Sequence, residues 1–364
     1  ILTLLARCIR AEHLGRVAKL VSEFGLNIDN ISRLSGRVPL EGAAEDTRAC
    51  VEFSLRGDID DPESFRRALL ALSGELDVDA ALQADDLYRR HRRLIAFDMD
   101  STLLDIEGID ELALRAGVGD EVLQITRRAM EGELDFAASL QARVAMLAGL
   151  PESELDDVAR TLPLMEGAER LFATLRKPGY RTAILSGGFQ YFGDTLKTRL
   201  GVDYVFANRL EIENGALTGE VTPPIVDADR KALLLREIAE REGIAMQQVI
   251  AVGDWANDLR MLAAAGLGIA FRGTSFSSVL MSESRFTMFA TTKNDSYSAL
   301  AATKRWYSIS VPPGLTRAPC ISALSVGSVA AAFHWATETR PVSSASACAK
   351  NARRDRSSAA MASA

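Results

Sequence analysis

Cysteine is scarce: Cys8, Cys50, Cys320 and Cys348 stand far apart and form no C-x-x-C pair. That excludes a disulfide framework and a zinc knuckle, and it fits a reducing compartment, so a cytoplasmic location is expected. No run of about 18 apolar residues exists, so no helix is expected to span a membrane. An excess of positive charge is also missing. The 42 Lys+Arg face 49 Asp+Glu for a net charge of −7, which gives no reason to expect nucleic acid as a partner. No initiating Met opens the chain, and residues 1–9 are too short for a secretory core, so the natural N-terminus is expected upstream. What remains, 48% hydrophobic and 25% charged residues over 364 positions, is ordinary globular composition, long enough for two domains or more. Collagen, coiled coil and a wholly disordered chain are thereby excluded.

The average conceals a division. Residues 272–364 hold 11 Lys/Arg against 4 Asp/Glu, whereas residues 1–271 hold 31 against 45. Serine is as uneven, 18 in the last 93 residues against 10 in the 271 before them. Two differently composed segments meet near Phe271, and residues 272–364 are expected to be a largely disordered tail. Within it, residues 322–335 have the pattern of a helix. The basic end from Lys350 to Arg356 is too isolated to imply a nucleic-acid role.

Residues 1–92 read as a small α+β unit. An apolar strand over 1–9 precedes a helix over 13–24 with apolar residues at Leu14, Val17, Leu20, Val21 and Phe24, ended by Gly25. A partly alternating strand covers 26–34, and strict alternation marks 49–55 as a half-buried strand. Pro62 opens a second helix with Phe65, Ala68, Leu69 and Leu72 on one face, and 78–82 completes the order βαββαβ, a ferredoxin-like arrangement. The run Arg89-Arg90-His91-Arg92-Arg93 reads as a solvated connector.

From residue 93 four continuously apolar runs appear, at 94–97, 182–185, 249–252 and 268–271, with helices between them. Such strands predict a Rossmann-like parallel sheet covered on both faces, with ligands beyond the strands' carboxyl ends. Residues 105–165 are purely helical in pattern and would form a cap over that edge.

Each apolar run but the last leads into polar chemistry. Asp98-Met99-Asp100-Ser101-Thr102 places two carboxylates just past a buried strand, where one can attack phosphorus and the other can move protons. An Asp-rich turn has the same look. Ser186-Gly187-Gly188 puts a hydroxyl and glycine amides before a helix, which suits a phosphate or an ordinary strand-to-helix turn. Lys231, near a helix start, could neutralise phosphoryl charge, though surface lysines are common. Gly253-Asp254-Trp255-Ala256-Asn257-Asp258 offers oxygen ligands for a hard cation such as Mg²⁺, or else a capped turn. In order, and each after a strand, the four supply nucleophile, acid/base, phosphate cradle, countercharge and metal site. Chance does not explain the set.

These motifs resemble those of the haloacid-dehalogenase-like phosphatases. The resemblance narrows to the phosphoserine phosphatases through residues 98–113, Arg128-Ala129-Met130-Glu131-Gly132, Phe136, Ser139-Leu140, Arg143-Val144, Ser186-Gly187-Gly188-Phe189 and Phe206-Ala207-Asn208-Arg209-Leu210. It covers 94–271. More weakly, residues 1–92 resemble the ACT-type regulatory domain of bacterial members. The resemblance implies Asp98 as phosphorylated nucleophile and Asp100 as general acid/base, with its carbonyl facing the metal. Asp254 would complete the Mg²⁺ site with Asp98 and Asp100, supported by Asp258 and Asn257. Ser186, Gly187 and Lys231 would hold the phosphate of O-phosphoserine. Glu107 and Arg143 would bind its ammonium and carboxylate, with Met130 and Phe136 closing over it. A fork for a carboxylate and an anion for an ammonium are what this zwitterion needs on physical grounds. An amino-acid effector at the N-terminal unit and a homodimer are further expectations.

Two departures stand out. Trp255 replaces the family's glycine in the metal loop, where an indole is expected to crowd the cation and lower activity. After Phe271 the family's continuation is lost, as a reading-frame change in the gene would cause. A catalytically silent homologue that keeps only amino-acid binding or dimerisation is the competing expectation. A third is a phosphatase for another small substrate, which would leave Glu107 and Arg143 unpaired.

Overall fold

The computed structural model describes residues 1–6, 8–35, 49–254, 256–271 and 286–289. The expectations for Trp255, for a helix over 322–335 and, apart from 286–289, for disorder in the tail lie outside the described residues.

The first unit consists of β1 (Leu2–Ala6), α1 (Ala11–Glu23), β2 (Asn27–Arg33), β3 (Ala49–Arg56), α2 (Pro62–Leu76) and β4 (Asp79–Leu82). Its sheet runs β2-β3-β1-β4 with antiparallel pairings throughout, the ferredoxin-like topology expected from the sequence. Asp61 caps α2 by accepting the Ser64 amide at 3.0 Å, ahead of Pro62 in the first turn. Val17 and Val21 of α1 and Phe65 and Leu69 of α2 pack on Leu2, Leu4, Val51 and Phe53. The other face of the sheet is covered too: Leu5, Cys50 and Ala81 belong to one apolar cluster with Ile95 and Phe97 of the second unit. Burial on both faces is why β1 reads as a continuous apolar run rather than an alternating one.

The connector corrects an expectation. Arg89 is not solvated: its side chain is 4% exposed and forms an ion pair with Glu52 of β3 and another with Asp85 at 3.3 Å. Arg92 donates to the Gln247 carbonyl of the second unit. A run of basic residues reports charge but not burial, and here three of the four guanidinium groups reach protein acceptors, the exposed Arg90 through Asp85 at 3.8 Å.

The second unit contains β5 (Leu94–Phe97), α3 (Gly108–Ala116), α4 (Gly119–Met130), α5 (Phe136–Ala145), α6 (Glu152–Thr161), α7 (Ala168–Arg176), β6 (Arg181–Phe189), α8 (Gln190–Leu200), β7 (Tyr204–Glu213), β8 (Ala216–Thr222), α9 (Ala228–Arg241), β9 (Val249–Gly253), α10 (Leu259–Ala264), β10 (Leu267–Phe271) and β11 (Phe286–Phe289). The strands lie in the order β11-β10-β9-β5-β6-β7-β8. All neighbours are parallel except β7 and β8. One face of the sheet, with Ile95, Phe97, Ile184 and Val252, packs among residues of α7, α8 and the cap. The opposite face, with Leu94, Ala96, Leu185 and Ala251, packs on α9 and α10.

Two strands go beyond the sequence reading. β7 and β8 form a hairpin through Asn214-Gly215, both at positive φ (53° and 77°), the two-residue turn that matches the twist of paired strands. Phe286–Phe289, placed by composition in the tail, forms the edge strand β11 beside β10. The four cap helices α3 to α6 fall where the periodicity of 105–165 places them. They are tied to the core at the hairpin, where the Gly149 amide donates to Leu217 O at 2.8 Å and the Leu217 amide to Leu150 O at 2.9 Å.

Arg89→Ala should lower the stability of the N-terminal unit by about 2 kcal/mol, the usual value for losing hydrogen bonds to charged groups. Urea unfolding followed by circular dichroism measures it. An unchanged midpoint would mean that the pair contributes nothing.

Candidate functional site

The register of the central strands sets up the site before any side chain does. Phe97 of β5 lies opposite Val252 of β9, so the residues that follow them leave the sheet side by side. The Asp98 amide donates to Val252 O at 2.8 Å, which holds the two chain exits together. Beyond Asp98 the backbone curls tightly: the Leu103 and Leu104 amides both reach Met99 O, and Ser101 takes a left-handed conformation at φ 55°. For a non-glycine residue that is an uncommon backbone state, and here it reverses the chain over the end of β5.

Lys231 is the electrostatic centre. It is fully buried in the first turns of α9, and its Nζ donates to Asp98 Oδ1 at 2.9 Å and to Asp258 Oδ1 at 2.8 Å. Asp227 starts that helix by accepting the Arg230 amide at 2.8 Å. Burial alone would pull the Lys231 ammonium down, but the charges of Asp258 and Asp98 outweigh it and hold it raised. The other oxygen of Asp258 accepts the Asp254 amide at 3.1 Å, and Thr102 donates from Oγ1 to Asp254 Oδ1 at 3.2 Å.

Asp98, Asp254 and Asp258 each offer an oxygen within 4.8 Å of the others. The donor set is all oxygen and all anionic, which fits a hard divalent cation. Burial, with Asp98 and Asp258 beside it, pushes the Asp254 carboxyl well above the ordinary range, so three carboxylates here need more positive charge than one lysine supplies. Asn257 Oδ1 is buried with no hydrogen-bond partner, a further acceptor in the same loop. Asp100, which the resemblance places at the metal through its carbonyl, turns its side chain elsewhere.

That side chain meets the Ser186 loop. Asp100 Oδ1 accepts the Gly108 amide at 2.9 Å, and Ser186 Oγ lies 3.5 Å from Oδ2 while itself accepting the Gly188 amide at 2.9 Å. Burial first, then the charges of Glu107 and Asp98, pushes the Asp100 carboxyl well above the usual carboxylate range. A carboxyl that keeps its proton is suited to donate it.

The expected substrate-binding residues are placed unequally. Phe136, at the start of α5, lies over Gly187, where an added Cβ would meet its ring at 2.8 Å. Glu107, the residue before α3, accepts a hydrogen bond from Ser101 Oγ at 2.6 Å. Arg143 lies two turns along α5, and its Nε donates to Ser139 O, one turn back, at 3.3 Å. Met130 is the last residue of α4.

Four contributors lie in the quoted motifs but were given no individual role from the sequence: Thr102, Gly108, Gly188 and Asn208. Gly188 was legible in principle as the second of two glycines. A Cβ there would lie 2.0 Å from Asp100 Oδ2, so only glycine admits the carboxyl. Asn208 is fully buried in β7, with no charge or periodicity to mark it.

A family model described as haloacid dehalogenase-like hydrolase matches residues 95–263. The phosphoserine phosphatase of Archaeoglobus fulgidus is 48% identical over 221 residues, which are 61% of this chain and 64% of that protein. The chain therefore spans less than two thirds of that relative. The phosphoserine phosphatase of Methanocaldococcus jannaschii is 44% identical over 182 residues, covering 50% of this chain and 86% of that protein. Among solved structures, a HAD family hydrolase from Salmonella enterica serovar Typhi aligns with a TM-score of 0.64 and 33% identity, over 75% of this chain and 90% of that one.

Gly188→Ala should reduce turnover of a phosphate ester by about 100-fold through displacement of Asp100, with the circular dichroism spectrum retained. Full turnover in the folded variant would show that the carboxyl tolerates the methyl group.

Proposed function

The chain belongs to the haloacid dehalogenase-like hydrolases, and on that premise we propose that it hydrolyses O-phosphoserine to serine and phosphate through an aspartyl-phosphate, the last step of serine synthesis. The observation that carries the reading is the buried Lys231 clasped between Asp98 and Asp258, with a second buried carboxyl at Asp100, raised above the usual carboxylate range, beside Ser186. The relatives that match most of residues 94–271 supply the substrate class.

Asp98 Oδ attacks phosphorus and the bond from phosphorus to the seryl oxygen breaks. Asp100 passes its proton to that oxygen, so serine leaves as a neutral alcohol. Water then attacks the phosphorus of the aspartyl-phosphate, Asp100 takes the water's proton, and the Asp98 carboxylate is released. Lys231 stays charged throughout and faces the developing negative charge, and Ser186 with the Gly187 backbone lines the phosphate side. Mg²⁺ held by Asp98, Asp254 and Asp258, with Asn257 nearby, would supply the remaining positive charge and orient the phosphoryl group.

Glu107, beside Ser101 at the mouth of α3, suits the substrate ammonium; Arg143 suits its carboxylate; Phe136 lies over Gly187 to close the pocket, a role the resemblance also gives to Met130. A zwitterionic phosphoester uses both charges, and a neutral sugar phosphate uses neither. The ferredoxin-like unit supports an ACT-type role with an amino-acid effector, and the exposed edge strand β2 supports a homodimer. Among the described residues no helix is long and apolar enough to cross a membrane. The scattered cysteines suit a reducing compartment and support a cytoplasmic location. A catalytically silent chain is the less favoured reading, because the carboxylates and lysine that cost most to bury are all arranged for chemistry.

Phosphate release from O-phosphoserine should require a divalent cation and fall about 1000-fold or more in Asp98→Asn. Comparable release by that variant would remove Asp98 from the reaction. Arg143→Met should raise KM for O-phosphoserine on the order of 100-fold and leave p-nitrophenyl phosphate nearly unaffected, since only the amino acid ester carries a carboxylate. Equal effects on both esters would contradict the role given to Arg143.

A further inference from the structure

Asn208 sits in β7, outside the four motifs, yet its side chain touches two of them. It is fully buried. Its Nδ2 donates to the Gly187 carbonyl at 2.8 Å, and its Oδ1 accepts the Val226 amide at 2.7 Å. The two partners belong to different machinery. Gly187 lies in the loop that lines the phosphate side, and Val226 directly precedes Asp227, the residue that caps the helix of Lys231.

The consequence at the first end is an orientation. The peptide between Gly187 and Gly188 is planar, so fixing its carbonyl also fixes its amide. That amide donates to Ser186 Oγ at 2.9 Å, and Ser186 Oγ in turn lies 3.5 Å from Asp100 Oδ2. Capture of one carbonyl by Asn208 therefore sets the direction of the Ser186 hydroxyl relative to the Asp100 carboxyl. At the second end, holding the Val226 amide anchors the chain immediately before the α9 cap, from which Lys231 reaches Asp98. Asn208 is thus hydrogen-bonded both to the segment that lines the phosphate side and to the head of the lysine helix.

We infer that Asn208 is a positioning residue, which fixes the spacing between the Ser186-Gly187-Gly188 phosphate cradle and Lys231 without touching the substrate itself. The inference rests on the reading of this site as a phosphate ester hydrolase. It also explains why a polar amide occupies a strand interior where an apolar residue would pack at lower cost: both of its polar ends find buried backbone partners that would otherwise be left unpaired.

The test uses the full chain and three variants. Asn208→Asp keeps the shape and the acceptor for the Val226 amide but loses the donor to Gly187. Asn208→Leu loses both. Leu196→Ala, a cavity in the neighbouring α8 core, is the control for stability alone. Each is assayed below its melting temperature for kcat and KM on O-phosphoserine and on p-nitrophenyl phosphate, and for inhibition by inorganic phosphate. Both Asn208 variants should weaken phosphate inhibition and lower kcat/KM on both esters by about 10-fold to 100-fold, the scale of a small misplacement in a positioned site. Leu196→Ala should melt earlier and leave phosphate inhibition unchanged. The inference is overturned if folded Asn208 variants bind phosphate as the parent does, or if Leu196→Ala weakens it as much. A parent that cleaves only p-nitrophenyl phosphate faults the substrate assignment and leaves the Asn208 comparison intact. A parent that neither cleaves either ester nor binds phosphate overturns both readings.

Discussion

One buried ammonium organises the charge of the whole site. Lys231 reaches Asp98 and Asp258 together, from the first turn of a helix whose start is capped by Asp227. Removing a charge of this kind from water is expensive, and it persists only where the partners are well placed. Three carboxylates gather there against a single lysine, which leaves two negative charges uncompensated. A divalent cation matches that deficit, and a phosphoryl group brought alongside it would meet positive charge from two directions. The same imbalance accounts for the raised Asp254 carboxyl.

The fold makes this cluster possible because parallel strands end together. β5 and β9 are neighbours in register, so Asp98 and Asp254 leave the sheet as adjacent residues rather than being drawn together by long loops. β6 lies on the other side of β5 and brings Ser186 and the two glycines to Asp100. The cap helices, fastened to the β7–β8 hairpin, carry Phe136 over Gly187. The division of labour between Asp98 and Asp100 follows from their surroundings. One carboxyl is paired with an ammonium, and the other is buried near Glu107 and Asp98, which raise its affinity for a proton.

Much of this was legible in the residues. Strands buried on both faces announce themselves as short apolar runs, and three of the four led directly into a motif, so Asp98, Asp100, Ser186, Lys231, Asp254 and Asp258 could be named before any coordinates. The ferredoxin-like unit was equally clear from its alternating strands and two amphipathic helices. The hairpin was not read, although Asn214-Gly215 is a strong turn signal, because β7 alternates with exposed residues and resembles no buried parallel strand. Edge strand β11 was hidden by the serine-rich composition around it. Arg89 misled because a charge run says nothing about which member finds a carboxylate. Asn208 stood in a segment that carries the resemblance, but its role was not legible, since a neutral amide inside a strand is explained only by the backbone groups that it satisfies.

The most direct measurement is to quench the protein in acid during turnover of O-phosphoserine carrying radiolabelled phosphate, then digest it and locate the label. An acyl phosphate survives acid and is released by hydroxylamine. The account predicts a hydroxylamine-labile label confined to the peptide containing Asp98. Phosphate released at full rate with no label on that peptide, or with label on another residue, would contradict it.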